Sequence, residues 1–360
     1  MMDGNIKSGF QLLTDEINAG IQGKNNGIPM GFKRLNKYIG IRKRIMTLIF
    51  GSPGSGKSAY MHSAYFLNPF DHYLANKDKG LKFKGILFSM ERNKVYILAK
   101  WLSRKIFIDQ AILIPIQKML GWWDTKLTKD EHDLILAYQW YIDELLEVVD
   151  VIEGAQNPTG IYKYVKGYAE KNGRFEQIDE YHKIYIPDEP DKVVNIGEDH
   201  LGLTKLEKGM KSKKEAIDKL SEYNQYFRDV LGYSPIPVSQ LTRNLSNPIY
   251  QKMDSFEPTL DDVKESGRPG EDSDVVTSLF DPVRFKTNDP SYRVENFIDG
   301  NTGGNFFRSV KILKNTYGED SIRCGMAFQG ATGIFKELPK AKDMDGFSYD
   351  ELFNGQYFLS

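Results

Sequence analysis

A chain of 360 residues is long enough for one large α/β domain or two ordinary ones, and its pattern favours one main domain with additions. A formal net charge of -1 with 27% charged residues excludes a globally basic protein, so any nucleic-acid surface must be a local patch. The single cysteine, Cys324, excludes a disulfide framework and a cysteine-rich zinc site and fits a reducing compartment, while the five histidines form no metal-ligand cluster. There is no signal-peptide pattern and no apolar run near the roughly 20 residues that span a bilayer, so the expectation is a soluble, cytoplasmic chain without a membrane partner.

In chain order, Phe10, Leu12, Leu13, Ile17 and Ile21 recur at near-helical spacing until the polar stretch 23–27 ends the pattern. This predicts an amphipathic arm, either packed on its own domain or docked on a neighbouring subunit. Residues 45–50 are an apolar run without alternation, as in a parallel strand covered on both faces, and 59–67 read as helix. A second strand over 85–89 precedes a helix over 93–106 with Val95, Leu98, Leu102 and Ile106 on one side. Residues 122–146 read as helix, 147–152 as strand and 158–171 as helix, leading into a polar stretch.

A strand over 193–196, a basic loop over 205–214, a helix over 215–231 and a proline-entered strand over 235–239 follow, then an apolar run over 274–280. Strands alternating with helices predict a mainly parallel sheet with right-handed crossovers, flanked by helices. Beyond residue 280 the pattern changes: 292–314 and 322–328 read as strands joined by Gly and Asn turns, with 299–304 a hairpin tip. From residue 338 the chain is polar and acidic with scattered aromatic residues, which predicts a flexible or partner-docked end.

Gly51-Ser52-Pro53-Gly54-Ser55-Gly56-Lys57-Ser58 fits G-x-x-x-x-G-K-[ST] between a strand and a helix. The glycines let the backbone turn tightly and approach phosphates, which main-chain N–H groups at a helix N-terminus attract. Lys57 is placed to reach the β and γ phosphates of ATP and Ser58 to hold Mg²⁺ through its hydroxyl. Transfer of a phosphoryl group to water also needs a water-activating group, a second metal partner and a γ-phosphate sensor. Glu91, just past the strand 85–89, is the candidate base, at the sheet edge where ligands of open α/β folds bind. Asp199 is the candidate second metal partner, with Glu198 and Asp188 as competitors because Asn195, Gly197 and Glu198 interrupt the apolar run before it. Gln240, ending a strand, is the candidate sensor.

Taken in order, these pieces resemble the RecA-like ATPase domain of DnaB-like replicative helicases. The resemblance begins at Gly27-Ile28-Pro29-Met30-Gly31-Phe32-Lys33-Arg34-Leu35-Asn36 and runs through the phosphate loop. Phe88-Ser89-Met90-Glu91-Arg92 is similar to the family's S-L-E-M element, and Glu198-Asp199-His200-Leu201-Gly202-Leu203 resembles its Walker B region. Val238-Ser239-Gln240-Leu241-Thr242-Arg243 matches S-Q-L-x-R, and residues 258–267 match P-x-L-x-D-L-R-E-S-G; together these cover most of residues 12–336.

The resemblance implies an arm over 1–26, a RecA-like ATPase domain over 27–337 and an acidic, aromatic tail over 338–360, in an enzyme of the sort a phage or mobile element encodes. It implies ATP bound between subunits of a ring, usually hexameric, Glu91 activating water, and single-stranded DNA in the central channel. Residues 205–214 and 243–257 then become channel loops in which Lys211, Lys213, Lys214, Arg243 and Lys252 track phosphates. A primase or a helicase loader is the further partner implied.

Two departures stand out. Family helicases carry K-x-R-x-G, whose arginine reaches a neighbour's γ-phosphate, where this chain has Lys314-Asn315-Thr316-Tyr317-Gly318. Such an arginine is worth about 10³ to 10⁵ in rate, so either Lys314 compensates, Arg308 or Arg323 substitutes, or hydrolysis is slow. The family's additional N-terminal domain also has no counterpart in 1–26, which supplies only an arm. The rival readings are a RecA-like recombination or repair ATPase that forms filaments on DNA, and a nucleotide-dependent assembly or clamp module with weak turnover.

Overall fold

A computed structural model describes residues 8–180, 183–241, 257–263 and 267–359. Its helices are α1 (Gly9–Ile21), α2 (Lys57–His62), α3 (Asn68–Leu74), α4 (Lys94–Gln110), α5 (Ile116–Met119), α6 (Lys129–Ala137), α7 (Gln139–Val148), α8 (Pro158–Lys171), α9 (Lys213–Asp229), α10 (Arg268–Asp272) and α11 (Tyr349–Phe353). The strands are β1 (Thr47–Gly51), β2 (Phe83–Ser89), β3 (Val149–Glu153), β4 (Gly173–Gln177), β5 (Lys183–Pro187), β6 (Val193–Asp199), β7 (Ser234–Gln240), β8 (Val275–Phe280), β9 (Phe307–Asn315), β10 (Arg323–Gln329) and β11 (Ile334–Glu337). One nine-stranded sheet runs β11-β10-β9-β8-β1-β7-β6-β2-β3, parallel from β8 to β3 and antiparallel from β8 to β11. One apolar cluster joins α2, α4 and α7 to one face of this sheet, and a second joins α8 and α9 to the other.

The interrupted strand β6 is buried along its whole length, and its odd residues explain why. Pro69 has no N–H to give the carbonyl of Tyr65, four residues earlier, and Asn195 Nδ2 donates to that carbonyl instead at 2.7 Å. The backbone between α2 and α3 widens into a π turn over Ser63–Leu67, so the helix predicted to end at residue 67 continues to Leu74. The turn drives Phe66 onto the sheet, where a Cβ at Gly197 would lie 2.7 Å from its ring and one at Gly85 2.8 Å. Gly85 and Gly197 sit on neighbouring strands, so two glycines and an asparagine are the socket of one aromatic wedge.

Other expectations need correction. The helix predicted from residue 122 begins at Lys129, because Thr128 and Glu131 form a capping box and Trp123 and Asp124 take left-handed backbone angles. Of the predicted side of α4, Ile106 is buried and Leu98 and Leu102 partly so, but Val95 is exposed, and the helix also buries Ile97 and Trp101. The strand predicted from residue 292 starts at Phe307; before it lie a helical turn at Val294–Phe297 and a bridge between Ile298 and Asn305 that closes the 299–304 turn. The polar stretch after α8 forms the β4–β5 hairpin, pinned by the Tyr185 hydroxyl on the Ala169 and Asn172 carbonyls.

Over its described residues the C-terminal segment packs on its own domain. Leu352 and Phe358 pack with Phe107 of α4, and Lys336 Nζ donates to the Tyr357 carbonyl at 2.7 Å. By contrast α1 keeps Phe10, Leu13, Ile17 and Ile21 exposed, so its apolar stripe is not covered by its own domain. Among the described residues no helix is long and apolar enough to cross a membrane.

Beneath α4, the His62 ring meets Trp101 edge-on and accepts its indole N–H at 3.3 Å. Burial pulls His62 down to about 3, with Lys100 adding to the shift. Because this folded value lies below the unfolded one near 6.5, stability is fully present above pH 6.5 and is lost as pH falls towards 3. We expect the wild type to lose about 2 kcal/mol more than His62→Phe between pH 7 and pH 5, measured by urea unfolding at each pH. Parallel losses in the two proteins would contradict this.

Candidate active site

The carboxyl ends of five adjacent strands, β8, β1, β7, β6 and β2, meet at one edge of the sheet. Register aligns them: Gly51 pairs with Gln240 on one side and Leu279 on the other, and Ser89 pairs with Asp199. β1 delivers the loop 51–58, whose last glycine, Gly56, has φ 95° and precedes Lys57 at the start of α2. A Cβ on Gly56 would lie 3.0 Å from the rings of Phe328 and Phe335, so the antiparallel strands β10 and β11 press on the loop from behind. The Ser52 carbonyl accepts both Ser55 Oγ and Lys57 Nζ at 2.8 Å.

Asp199 shares the α2 face of β6 with Asn195 and Gly197, which places its carboxylate in hydrogen-bonding contact with Ser58. Burial pushes Asp199 up to about 6 and the Ser58 hydroxyl opposes this; burial pulls the Lys57 ammonium down to about 8, opposed by Asp199 and Glu91 and reinforced by Arg284. Asp199 Oδ1 and Ser52 Oγ are buried without a protein partner. A hydroxyl beside a carboxylate with a spare buried oxygen is an all-oxygen donor set, which fits Mg²⁺; the loop and Lys57 at a helix N-terminus fit a phosphate chain.

Glu198 points to the opposite face, where Asn224 of α9 donates to it at 3.0 Å and burial pushes it up to about 8. Asp188 closes the β4–β5 hairpin ahead of the amino end of β6, its N–H on the Asn172 carbonyl. Neither competitor reaches Ser58. Glu91 stands just past β2 with its side chain 42% exposed, 3.3 Å from Arg92. The Gln240 amide lies 3.1 Å from His200 Nε2, and His200 Nδ1 accepts the Gly202 N–H at 3.2 Å. His200, next to Asp199 in the chain, thus ties Gln240 to the end of β6.

No protein-family model matches the chain. It is 23% identical over 279 residues to the replicative DNA helicase DnaB of two Helicobacter pylori strains, an overlap of 76% of this chain and 48% of each relative. The chain therefore spans about half the length of the curated relatives it matches. In fold it is similar to the ATPase domain of G40P, with a TM-score of 0.66 at 22% identity over 94% of this chain and 100% of that one. A DnaB-like replicative helicase, described together with its interactions with primase, gives a TM-score of 0.66 at 20% identity over 93% of this chain and 69% of that one. The chain is thus similar to DnaB in sequence and to DnaB-like ATPase domains in fold.

The cations around Thr316 bear on the expectation of a trans-acting positive charge. Lys314 Nζ donates to the Glu271 carbonyl at 2.7 Å and the Gly270 carbonyl at 3.3 Å, at the end of α10, and the Thr316 N–H bonds the Asp274 carbonyl. Arg308 is buried under its own phosphate loop: Nε donates to the Ser55 carbonyl at 2.9 Å and Nη2 pairs with Asp281 at 3.3 Å. Arg323 pairs with Asp289 at 2.6 Å and Glu257 at 3.1 Å. The guanidinium of each arginine is engaged inside its own domain.

Lys211, Lys213 and Lys214 are exposed, but the last two open α9 rather than lie in a loop, because Ser212 caps the helix. Lys213 also donates to the Thr204 carbonyl. Arg243 and Lys252 lie outside the described residues. Sequence reasoning missed two residues at this edge, His200 and Arg284. The criterion that found Glu91, a charged residue just past the carboxyl end of a strand, selects Asp281 after β8, and Asp281 in turn holds the turn that carries Arg284.

Proposed function

We propose that this chain is the ATPase domain of a ring-forming DnaB-like DNA helicase that hydrolyses ATP and moves on single-stranded DNA. The observation that carries the reading is the convergence of Asp199, Ser58 and Lys57 at one sheet edge, with Glu91 and Gln240 ending flanking strands. The loop 51–58 and Lys57 hold the phosphates, Ser58 and Asp199 hold Mg²⁺, Glu91 accepts a proton from the attacking water, and Gln240 reads the γ-phosphate. Bound Mg²⁺ would supply neutralisation of charge on the β and γ oxygens. The exposed stripe of α1 supports subunit docking and hence a ring, usually hexameric in the family, whose further partner is a primase or a loader.

The test is ATP turnover with and without single-stranded DNA, alongside unwinding of a forked duplex. DNA-stimulated turnover with unwinding is the expected result, and tight ATP binding with negligible turnover would favour the clamp reading, which the internal engagement of Arg308 and Arg323 supports. For DNA binding, Lys211→Ala with Lys214→Ala is expected to lower the salt dependence of single-strand affinity by about 0.7 in log–log slope for each phosphate left unneutralised. An unchanged slope would remove this segment from the channel.

A further inference from the structure

The carboxyl end of β8 carries a cation that none of the roles above uses. After Phe280 the chain makes one helical turn, Val283–Phe285, fixed by the Arg284 N–H on Asp281 Oδ1 at 3.2 Å. The turn lays the Arg284 guanidinium across the phosphate loop, where Nη1 donates to the Pro53 carbonyl. The approach is close enough that a Cβ on Gly54, whose φ is 78°, would collide with Nη1. Asp281 is buried and serves both sides of the loop: its carboxylate holds the Arg284 turn above and pairs with Arg308 below. The two arginines differ in one respect that matters. Arg308 is sealed in, whereas Arg284 is exposed and close enough to Lys57 to disfavour its charge.

We infer that Arg284 is a phosphate-binding residue of the nucleotide site, its guanidinium moving from the neutral Pro53 carbonyl to the end of the triphosphate that Lys57 serves. A guanidinium–phosphate contact is charge-assisted on both sides and roughly twice as strong as a bond to a neutral carbonyl, so an anion at the loop wins the exchange. The same chain then supplies in cis part of the positive charge that Thr316 cannot supply to a neighbour. This rests on the reading of residues 51–58 as a nucleotide triphosphate site.

The experiment titrates wild type, Arg284→Ala, Arg284→Gln and Arg284→Lys with ATPγS and Mg²⁺ by calorimetry, with circular dichroism to confirm folding. Glutamine keeps a polar N–H donor but carries no charge; lysine keeps the charge. We expect alanine and glutamine each to weaken ATPγS binding about tenfold or more, and lysine to recover most of the loss. Near-wild-type affinity in Arg284→Gln would make the residue a loop brace and overturn the inference while leaving the nucleotide site intact. Failure of the wild type to bind ATPγS would overturn the nucleotide reading and the inference with it.

Discussion

Glu91→Gln is expected to bind ATP within about twofold of wild type and to hydrolyse it about 10² to 10⁴ times more slowly, the range a positioned general base contributes. The geometry motivates both halves. Glu91 lies at the carboxyl end of β2, the strand in register with the one that ends at Asp199, yet its side chain is 42% exposed and pairs with Arg92 rather than bracing the phosphate loop. Removing its charge leaves the Ser52 carbonyl holding Ser55 and Lys57, so the cradle keeps its shape. Phosphate release under saturating ATP, paired with a direct binding titration, checks the result. Turnover within twofold of wild type would show that another group activates water.

Phe66→Ala should destabilise the domain by about 3 to 5 kcal/mol, the upper range for truncating a buried aromatic. The cost reaches that range because of what surrounds the ring. Its socket is floored by Gly85 and Gly197, which have no side chains to relax into the space left behind. The neighbouring backbone is held by the Asn195 bond to the Tyr65 carbonyl, so the wall does not collapse either. Denaturant unfolding with an unchanged m-value is the check, and a loss below about 1 kcal/mol would mean that the ring is not a wedge. Gly197→Ala should err in the other direction, costing about 1 to 3 kcal/mol through overpacking.

The same residues show what could and could not be read from the sequence. The phosphate loop was legible because its constraints are local: a buried strand, glycines at fixed spacing, and a helix start. The parallel half of the sheet was legible because strands covered on both faces are apolar throughout. β6 resisted the apolar-run criterion because Asn195 and Gly197 answer to Pro69 and Phe66, residues more than a hundred positions away in the chain. The start of the helix at Lys129 was legible in principle from Thr128 and Glu131, and the aromatic content before it hid the cap.

The C-terminal antiparallel strands were legible, but the start of β9 and the packing of the tail were not, for a related reason. The aromatic residues there are scattered in sequence and gather only in space, around Phe297, Phe307 and Phe107. At the site, Asp199 was separated from Glu198 by geometry alone, since adjacent residues on one strand face opposite ways. Arg284 offered only its place after a strand, and the hydrogen bond that makes it interesting spans 231 residues.

That long reach has a consequence for the order in which the protein comes to life. The phosphate loop leaves the ribosome well before the groups that brace it: Arg308 meets Ser55 across 253 residues, and Phe328 and Phe335 close on Gly56 from β10 and β11. A nascent chain lacking its last strands carries the whole motif without its support. Nucleotide affinity should therefore emerge only once β9, β10 and β11 have been made, making ligand capture a marker of the braced loop rather than of the motif itself.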